Sequence, residues 1–203
     1  MNIDKGLNYL KKADKKMARL INEFEKPGFR KESNYFEALV RAIVYQQLSG
    51  KAASTIYERF KNLFEGNTYP TPQNVLNKKH EELRSVGLSN QKASYVHNIA
   101  EAFSNGSIPN NLDELGDEDV FGCLTAIKGV GPWTAEMFLM FTLQRPDILP
   151  VTDLGIQKGM MLYCKLDKLP LKEFMLKTAE PWRPFRTLAS WYMWRLVEGP
   201  FEW

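Results

Sequence analysis

Apolar residues in this chain recur at helical spacing and almost nowhere at strand spacing. Phe36, Leu39, Val40, Ile43 and Val44 fall at i, i+3, i+4, i+7 and i+8, a single stripe that must face a core. Ala52, Ala53, Ile56, Tyr57 and Phe60 repeat the rhythm within 49–64, where Ser49 stands in the capping position. Further helices are expected over 4–25, 89–103, 117–127, 132–142, 154–163, 171–178 and 184–197, with short helical turns at 71–76 and 81–85. Pro132 and Pro184 open two of them, because a missing N–H is harmless at the first helical position. Glycine and proline punctuate between helices and not within hairpins of strands, so the fold class is all-α.

With 203 residues, of which 44% are hydrophobic, the chain can build one well-packed domain or two small lobes, which excludes a disordered tail protein. Cys123 and Cys164 are its two cysteines and form no C-x-x-C pair; zinc fingers, cysteine-held clusters and a secreted disulfide framework do not fit. A reducing, intracellular setting does. The balance of 27 basic and 24 acidic residues gives +3, too small an excess to identify a partner. The charged N-terminal stretch lacks the apolar core of a signal peptide. The run 137–143 is far shorter than the roughly 20 residues a membrane span takes, so a soluble, cytoplasmic protein with no membrane partner is expected. His80 and His97 are expected to lie too far apart to share a metal ion and lack partner acids at ligand spacing, so no catalytic transition metal is expected.

The most informative stretch is Leu124-Thr-Ala-Ile-Lys-Gly-Val-Gly-Pro-Trp-Thr-Ala135, which reads as a helix, a Gly-Val-Gly turn and a second helix opening at Pro132. The two glycines permit positive φ and leave bare amides at a helix N-terminus, where an anion such as a DNA phosphate binds. The same residues equally suit an ordinary helix–helix turn. A dinucleotide fingerprint does not fit, since Thr134 occupies the place of its third glycine and no strand precedes it. The segment Leu83-Arg-Ser-Val-Gly-Leu-Ser-Asn-Gln-Lys-Ala93 faintly echoes this hairpin.

The hairpin, followed by Leu149-Pro-Val-Thr-Asp-Leu-Gly-Ile-Gln157 and Trp182-Arg-Pro-Phe-Arg-Thr-Leu-Ala-Ser-Trp-Tyr-Met-Trp-Arg195, and preceded by Tyr45-Gln-Gln-Leu-Ser-Gly-Lys-Ala52, resembles the helix-hairpin-helix DNA glycosylases, in particular the 3-methyladenine DNA glycosylase II branch in its compact type without an N-terminal β-rich domain. The four motifs cover about 36–195 in the family's order. The resemblance implies two helical lobes, approximately 30–115 and 116–203 with the N-terminal helix packing on the latter, and an active site in the cleft between them. It implies that Asp153, 22 residues after Gly131, is the catalytic carboxylate. A fixed anion there would stabilise the positive charge that deoxyribose gains as the N-glycosidic bond breaks, and could orient the attacking water. Asp153, or Thr152 beside it, also reads as a helix N-cap, and the two roles are compatible. Relatives that cut the strand place a nucleophilic lysine two residues after the second hairpin glycine. Here that residue is Trp133, which implies base release by water and no lyase step. Lys128, across the turn, reads as solvated or phosphate-facing.

By the same resemblance Trp133 and Trp194 match pocket tryptophans, with Tyr45 and Trp191 as possible companions and Met137 where some relatives carry an aromatic. An indole face suits a cationic alkylpurine, although aromatics at helical spacing serve equally as core. Gln47, with Leu48 second, would fill the gap left in the duplex by an extruded nucleotide, while the same turn reads as a polar interhelix cap. Gly129, Gly131 and Trp133 would hold phosphates through main-chain amides, with Lys51, Lys92 and Lys158 as side-chain aids. The family's hairpin implies a sodium or potassium ion on the carbonyls of Thr125, Ile127 and Val130, with no cofactor required. Together these imply a monomeric, monofunctional glycosylase acting on alkylated purines in double-stranded DNA, nucleoid-associated or nuclear by cell type. The alternatives are a non-catalytic DNA-binding hairpin module, disfavoured by Asp153 and the tryptophans, or a glycosylase for deaminated or oxidised bases.

Overall fold

The computed structural model describes residues 1–30, 32–48, 50–66, 69–109 and 111–198, and among these every regular element is helical. In chain order the helices are α1 (Ile3–Ala13), α2 (Lys15–Glu23), α3 (Tyr35–Tyr45), α4 (Gly50–Asn62), α5 (Pro72–Leu76), α6 (His80–Ser85), α7 (Asn90–Ser104), α8 (Asp117–Thr125), α9 (Pro132–Met137), α10 (Leu154–Cys164), α11 (Lys172–Thr178) and α12 (Arg186–Glu198). A π-helical turn over Phe138–Thr142 continues α9, and a 3-10 turn over Glu180–Trp182 precedes α12. Ser49, the expected cap of α4, lies outside the described residues. No helix among the described residues is long and apolar enough to cross a membrane.

The chain forms two compact units, one of Glu32–Leu143 and one of Met1–Lys31 with Gln144–Trp203. The division falls at 143/144 and not near 115. Residues 116–143 belong with the preceding helices because the π-helical turn packs on α3, where Phe138 meets Tyr35 edge-on at 5.9 Å.

In the unit of Glu32–Leu143, the stripe of Leu39, Val40, Ile43 and Val44 is fully buried, as its spacing requires. α3 packs against α4 and α7, and Phe60, Leu83, Ile99 and Leu124 complete the interior. In the other unit α10 and α12 pack closely, and α12 is buried on most sides through Thr187, Leu188, Ala189, Tyr192, Met193 and Trp194. α1 rests on α12 at Gly6, where a Cβ would come within 2.3 Å of Leu188 Cδ1.

Two expected boundaries move. The helix expected over 4–25 is broken at Asp14, which ends α1 and caps α2, its Oδ1 accepting the amides of Lys16 and Met17. Its other oxygen accepts the Tyr163 hydroxyl at 2.6 Å and the Trp182 indole N–H at 3.0 Å. Pro184 does not open α12; it follows a cis bond, and the helix starts at Arg186.

Candidate functional site

The helix–turn–helix formed by α8 and α9 is built as the sequence suggests, with one correction: a single glycine needs positive φ. Gly129 adopts φ +110°, and a Cβ there would lie 2.2 Å from Tyr95 Cγ on α7. Gly131 is the N-cap of α9 at φ −86°, with nothing within 4 Å of where a Cβ would stand. Its bareness supplies no side-chain cap to the first amides of the helix. Val130 and Ile127 bury into the unit, and Asn98 of α7 donates to the Lys128 carbonyl at 2.9 Å. The Ile127 carbonyl accepts the Val130 amide at 3.0 Å, and the Thr125 hydroxyl donates to the Phe121 carbonyl at 2.8 Å.

The echo at 83–93 is a second turn of the same shape. Gly87 takes φ +108°, Leu88 is buried as Val130 is, and Ser89 caps α7 as Gly131 heads α9. Because this turn folds α6 back along α7, the His80 and His97 rings come within 6.4 Å, which corrects the expectation that they are far apart. His80 Nε2 pairs with Asn90 Oδ1 at 2.8 Å, and no group of three metal-ligating side chains occurs among the described residues.

α3 ends at Tyr45, and the next three residues form an exposed turn. Gln47 stands outward at φ +56°, and Leu48 is 40% exposed. The Gln46 side chain donates to Thr134 Oγ1 on α9 at 3.0 Å. Lys92, expected beside a phosphate, is engaged within the protein instead, and its ammonium donates to the carbonyls of Val44 and Gln46, both at 2.7 Å. Burial pushes this ammonium below the usual lysine range. Lys51 and Lys158 are exposed. Trp133 is half-buried in the first turn of α9, Met137 is buried, and Tyr45 is half-buried with its ring edge-on to Tyr57 at 6.2 Å.

In the other unit, Asp153 caps α10, its Oδ1 accepting the Ile156 amide at 2.7 Å. The same oxygen accepts the Trp194 indole N–H at 2.8 Å. Trp194 is 2% exposed, so in this conformation it presents little open face for stacking. Trp182 is fully buried against Tyr163, and Trp191 packs edge-on to Tyr192.

Several residues that hold Asp153 are given no role by the sequence alone, although most of them lie within the motifs 149–157 and 182–195. Gly155 and Gly159 let α12 approach α10: a Cβ on Gly155 would meet Trp194 Cδ1 at 2.7 Å, and one on Gly159 the Met193 carbonyl oxygen at 2.3 Å. Their four-residue spacing on one helix face was the available signal. The segment leading to Asp153 is pinned by the start of α12. Arg186 Nε donates to Asp147 at 2.7 Å, the Thr187 hydroxyl donates to the Arg145 carbonyl at 2.6 Å, and that hydroxyl accepts the Ile148 amide at 3.0 Å. Gln157 Nε2 donates to the Val151 carbonyl at 3.0 Å from the α10 side.

One unit carries a helix–turn–helix whose second helix has no side-chain cap, and the other a helix-capping carboxylate braced by an indole. Residues 40–184 match the family described as HhH-GPD superfamily base excision DNA repair protein, and the chain belongs to that superfamily. It is 37% identical over 183 residues to DNA-3-methyladenine glycosylase 1 of Schizosaccharomyces pombe, covering 89% of this chain and 80% of that protein. Among solved structures, the fission-yeast 3-methyladenine DNA glycosylase in complex with abasic DNA superimposes with a TM-score of 0.84 at 36% identity, covering 98% of this chain and 100% of that one. A DNA-3-methyladenine glycosidase from Bacillus halodurans gives a TM-score of 0.84 at 33% identity, covering 95% and 89%.

Proposed function

We propose that this protein is a DNA glycosylase of base excision repair that hydrolyses the N-glycosidic bond of alkylated purines such as 3-methyladenine and 7-methylguanine, leaving an abasic site in double-stranded DNA. The observation that carries this reading is Asp153, a carboxylate fixed at a helix head with one oxygen bonded to both the Ile156 amide and the Trp194 indole. The relatives named for 3-methyladenine support the substrate class.

An alkylated purine carries positive charge, so when the bond to C1′ breaks the base leaves neutral with the electron pair and the sugar becomes the cation. Asp153 stabilises that cation; water then adds to C1′ and gives up a proton, for which the carboxylate is the nearby base. Trp133 and Tyr45 supply aromatic faces for the extruded base, with Met137 as part of the wall. Trp194 acts through Asp153 by holding it. Gly129 and Gly131 present amides to a phosphate, Lys51 adds positive charge, and Gln47 with Leu48 fills the vacated space. The carbonyls of Thr125, Ile127 and Val130 are neutral oxygen donors that would hold sodium or potassium, which would supply positive charge to the hairpin.

Trp133 occupies the place where strand-cutting relatives carry a nucleophilic lysine, and an indole cannot form a Schiff base, so the enzyme is monofunctional in this reading. The test is release of 3-methyladenine and 7-methylguanine from methylated duplex by the wild type and Asp153→Asn, with nicks scored before and after alkali. Release lost in the variant, with nicks only after alkali, is expected. Tight DNA binding without release of either base would overturn the substrate assignment and turn the search to deaminated bases; nicking before alkali would overturn the absence of a lyase step.

A further inference from the structure

We propose that Lys92 is a positioning residue that holds the turn after α3 in the conformation that exposes Gln47, and acts on DNA through that turn and not as a phosphate ligand. The proposal rests on the reading of Gln47 as the gap-filling residue.

The last carbonyls of a helix lack partners within it and are met by caps, water or side chains. Here the Lys92 ammonium takes one of them, from Val44, and also the carbonyl of Gln46 just past the helix end, both at 2.7 Å. Bonds from a charged donor are the strong ones, and two on a half-buried ammonium fix the backbone on both sides of Tyr45. Such fixing is needed. Gln47 lies in the left-handed region at φ +56°, which a residue with a Cβ keeps only where its surroundings over-determine it.

Gln46 is gripped a second time, by Thr134 Oγ1 at 3.0 Å. The two grips come from corresponding places. Lys92 is the third residue of α7 and Thr134 the third of α9, and each helix follows a turn whose glycine adopts φ near +110°. Positions 92 and 134 differ by 42, as do Gly87 and Gly129. Two copies of one helix–turn–helix shape therefore close on one residue. The first copy contributes an ammonium to its main chain and the second a hydroxyl to its side chain. A lysine engaged this way is a weaker phosphate ligand than a free one, because two of its three donors are turned to protein carbonyls.

The test compares wild type, Lys92→Met, Lys92→Arg, Thr134→Val and Gln47→Ala. Amide hydrogen exchange is read at residues 45–48, together with fluorescence of 2-aminopurine placed opposite a tetrahydrofuran abasic site and the salt dependence of binding to that duplex. Lys92→Met should speed exchange at 45–48, reproduce the fluorescence change of Gln47→Ala, and weaken abasic-duplex binding about tenfold, with the salt slope unchanged. Lys92→Arg should restore most of the signal, since a guanidinium can also donate to two carbonyls. Thr134→Val should shift the same readouts less, and keeps the proposal open to refutation if Lys92→Met does not fold. Unchanged exchange at 45–48 in Lys92→Met overturns the proposal, as does a wild-type fluorescence signal combined with a salt slope lowered by about one, the mark of a lost phosphate contact. A wild-type signal in Gln47→Ala, with faster exchange in Lys92→Met, instead removes the gap-filling reading and with it the DNA half of the proposal, while leaving the grip on the turn.

Discussion

The Trp194 indole N–H and Asp153 Oδ1 are 2.8 Å apart, and that oxygen is the one that caps α10. The capping carboxylate is thereby oriented by two donors from different helices. One comes from the backbone of its own helix and one from a tryptophan 41 residues further on.

Trp194→Phe keeps an aromatic ring but removes the N–H together with the pyrrole half of the indole. If Trp194 acts by orienting Asp153, single-turnover base release should fall about 10- to 100-fold, the usual cost of a reacting group displaced by a fraction of an ångström to an ångström. Stability should fall by about 2–4 kcal/mol, one hydrogen bond plus the gap left in a core position that is 2% exposed. Rapid-quench kinetics alongside thermal unfolding would check it. A rate within twofold of wild type would sink the orienting role.

Gly155 and Gly159 set the approach of α12 to α10, and they should respond differently to alanine. At Gly159 the added Cβ meets the Met193 carbonyl oxygen at 2.3 Å, a backbone atom that cannot turn aside. Gly159→Ala should cost about 1–3 kcal/mol in denaturant unfolding. At Gly155 the first atoms met belong to the Trp194 side chain. Gly155→Ala should therefore lose activity disproportionately to stability, because the indole that braces Asp153 must shift.

The hairpin glycines offer a matched pair. Gly129→Ala forces a left-handed alanine into Tyr95 and should destabilise by about 2 kcal/mol or more. Gly131→Ala meets open space at an ordinary φ, so stability should change by less than about 1 kcal/mol while DNA affinity falls as a methyl group crowds the first amides of α9. Equal losses of stability in the two variants would contradict this division of labour.

The helical stripes are legible in the sequence because period 3.6 is a property of neighbours: α3 and α7 can be read from their own residues. The hairpin is legible because local residue types carry it, whereas from its neighbours alone Asp153 reads as a helix cap and gains a catalytic reading only through the resemblance of 149–157 to the family's motif. What depends on distant partners is not. Asp14 breaks an otherwise amphipathic run because Tyr163 and Trp182, 149 and 168 residues away, share its second oxygen. Lys92 reads in sequence as a phosphate aid, and its partners here are main-chain carbonyls 48 and 46 residues earlier, invisible in any pattern of side chains. The histidine pair is misjudged when distance is measured along the chain, since the turn at Gly87 brings their rings within 6.4 Å.

Asp14 makes the stability of its unit depend on acidity. Burial alone would raise its pKa, but hydrogen bonds from Tyr163, Trp182 and the amides of Lys16 and Met17 outweigh this and hold it below the usual carboxylate range. Because the folded state binds this proton more weakly than the unfolded chain, the stabilisation is complete above the ordinary aspartate pKa of about 4 and fades as pH falls through the depressed value. Tyr163 gives the opposite limb. Burial, and then its bond to Asp14, raise the phenol above its ordinary value, so stabilisation present below about pH 10 is lost on further alkalinisation. The two limbs report one shared bond. Asp14→Asn keeps a capping oxygen but loses the charge; its unfolding midpoint should lie below wild type at pH 7 and converge with it toward pH 3. Asp14→Ala should cost on the order of 2–4 kcal/mol at pH 7, since it removes the cap and strands two buried donors. Thermal unfolding of both variants from pH 3 to 8 is the measurement. Curves for Asp14→Asn and wild type that run parallel across the acid range would show that the Asp14 charge does not stabilise this unit.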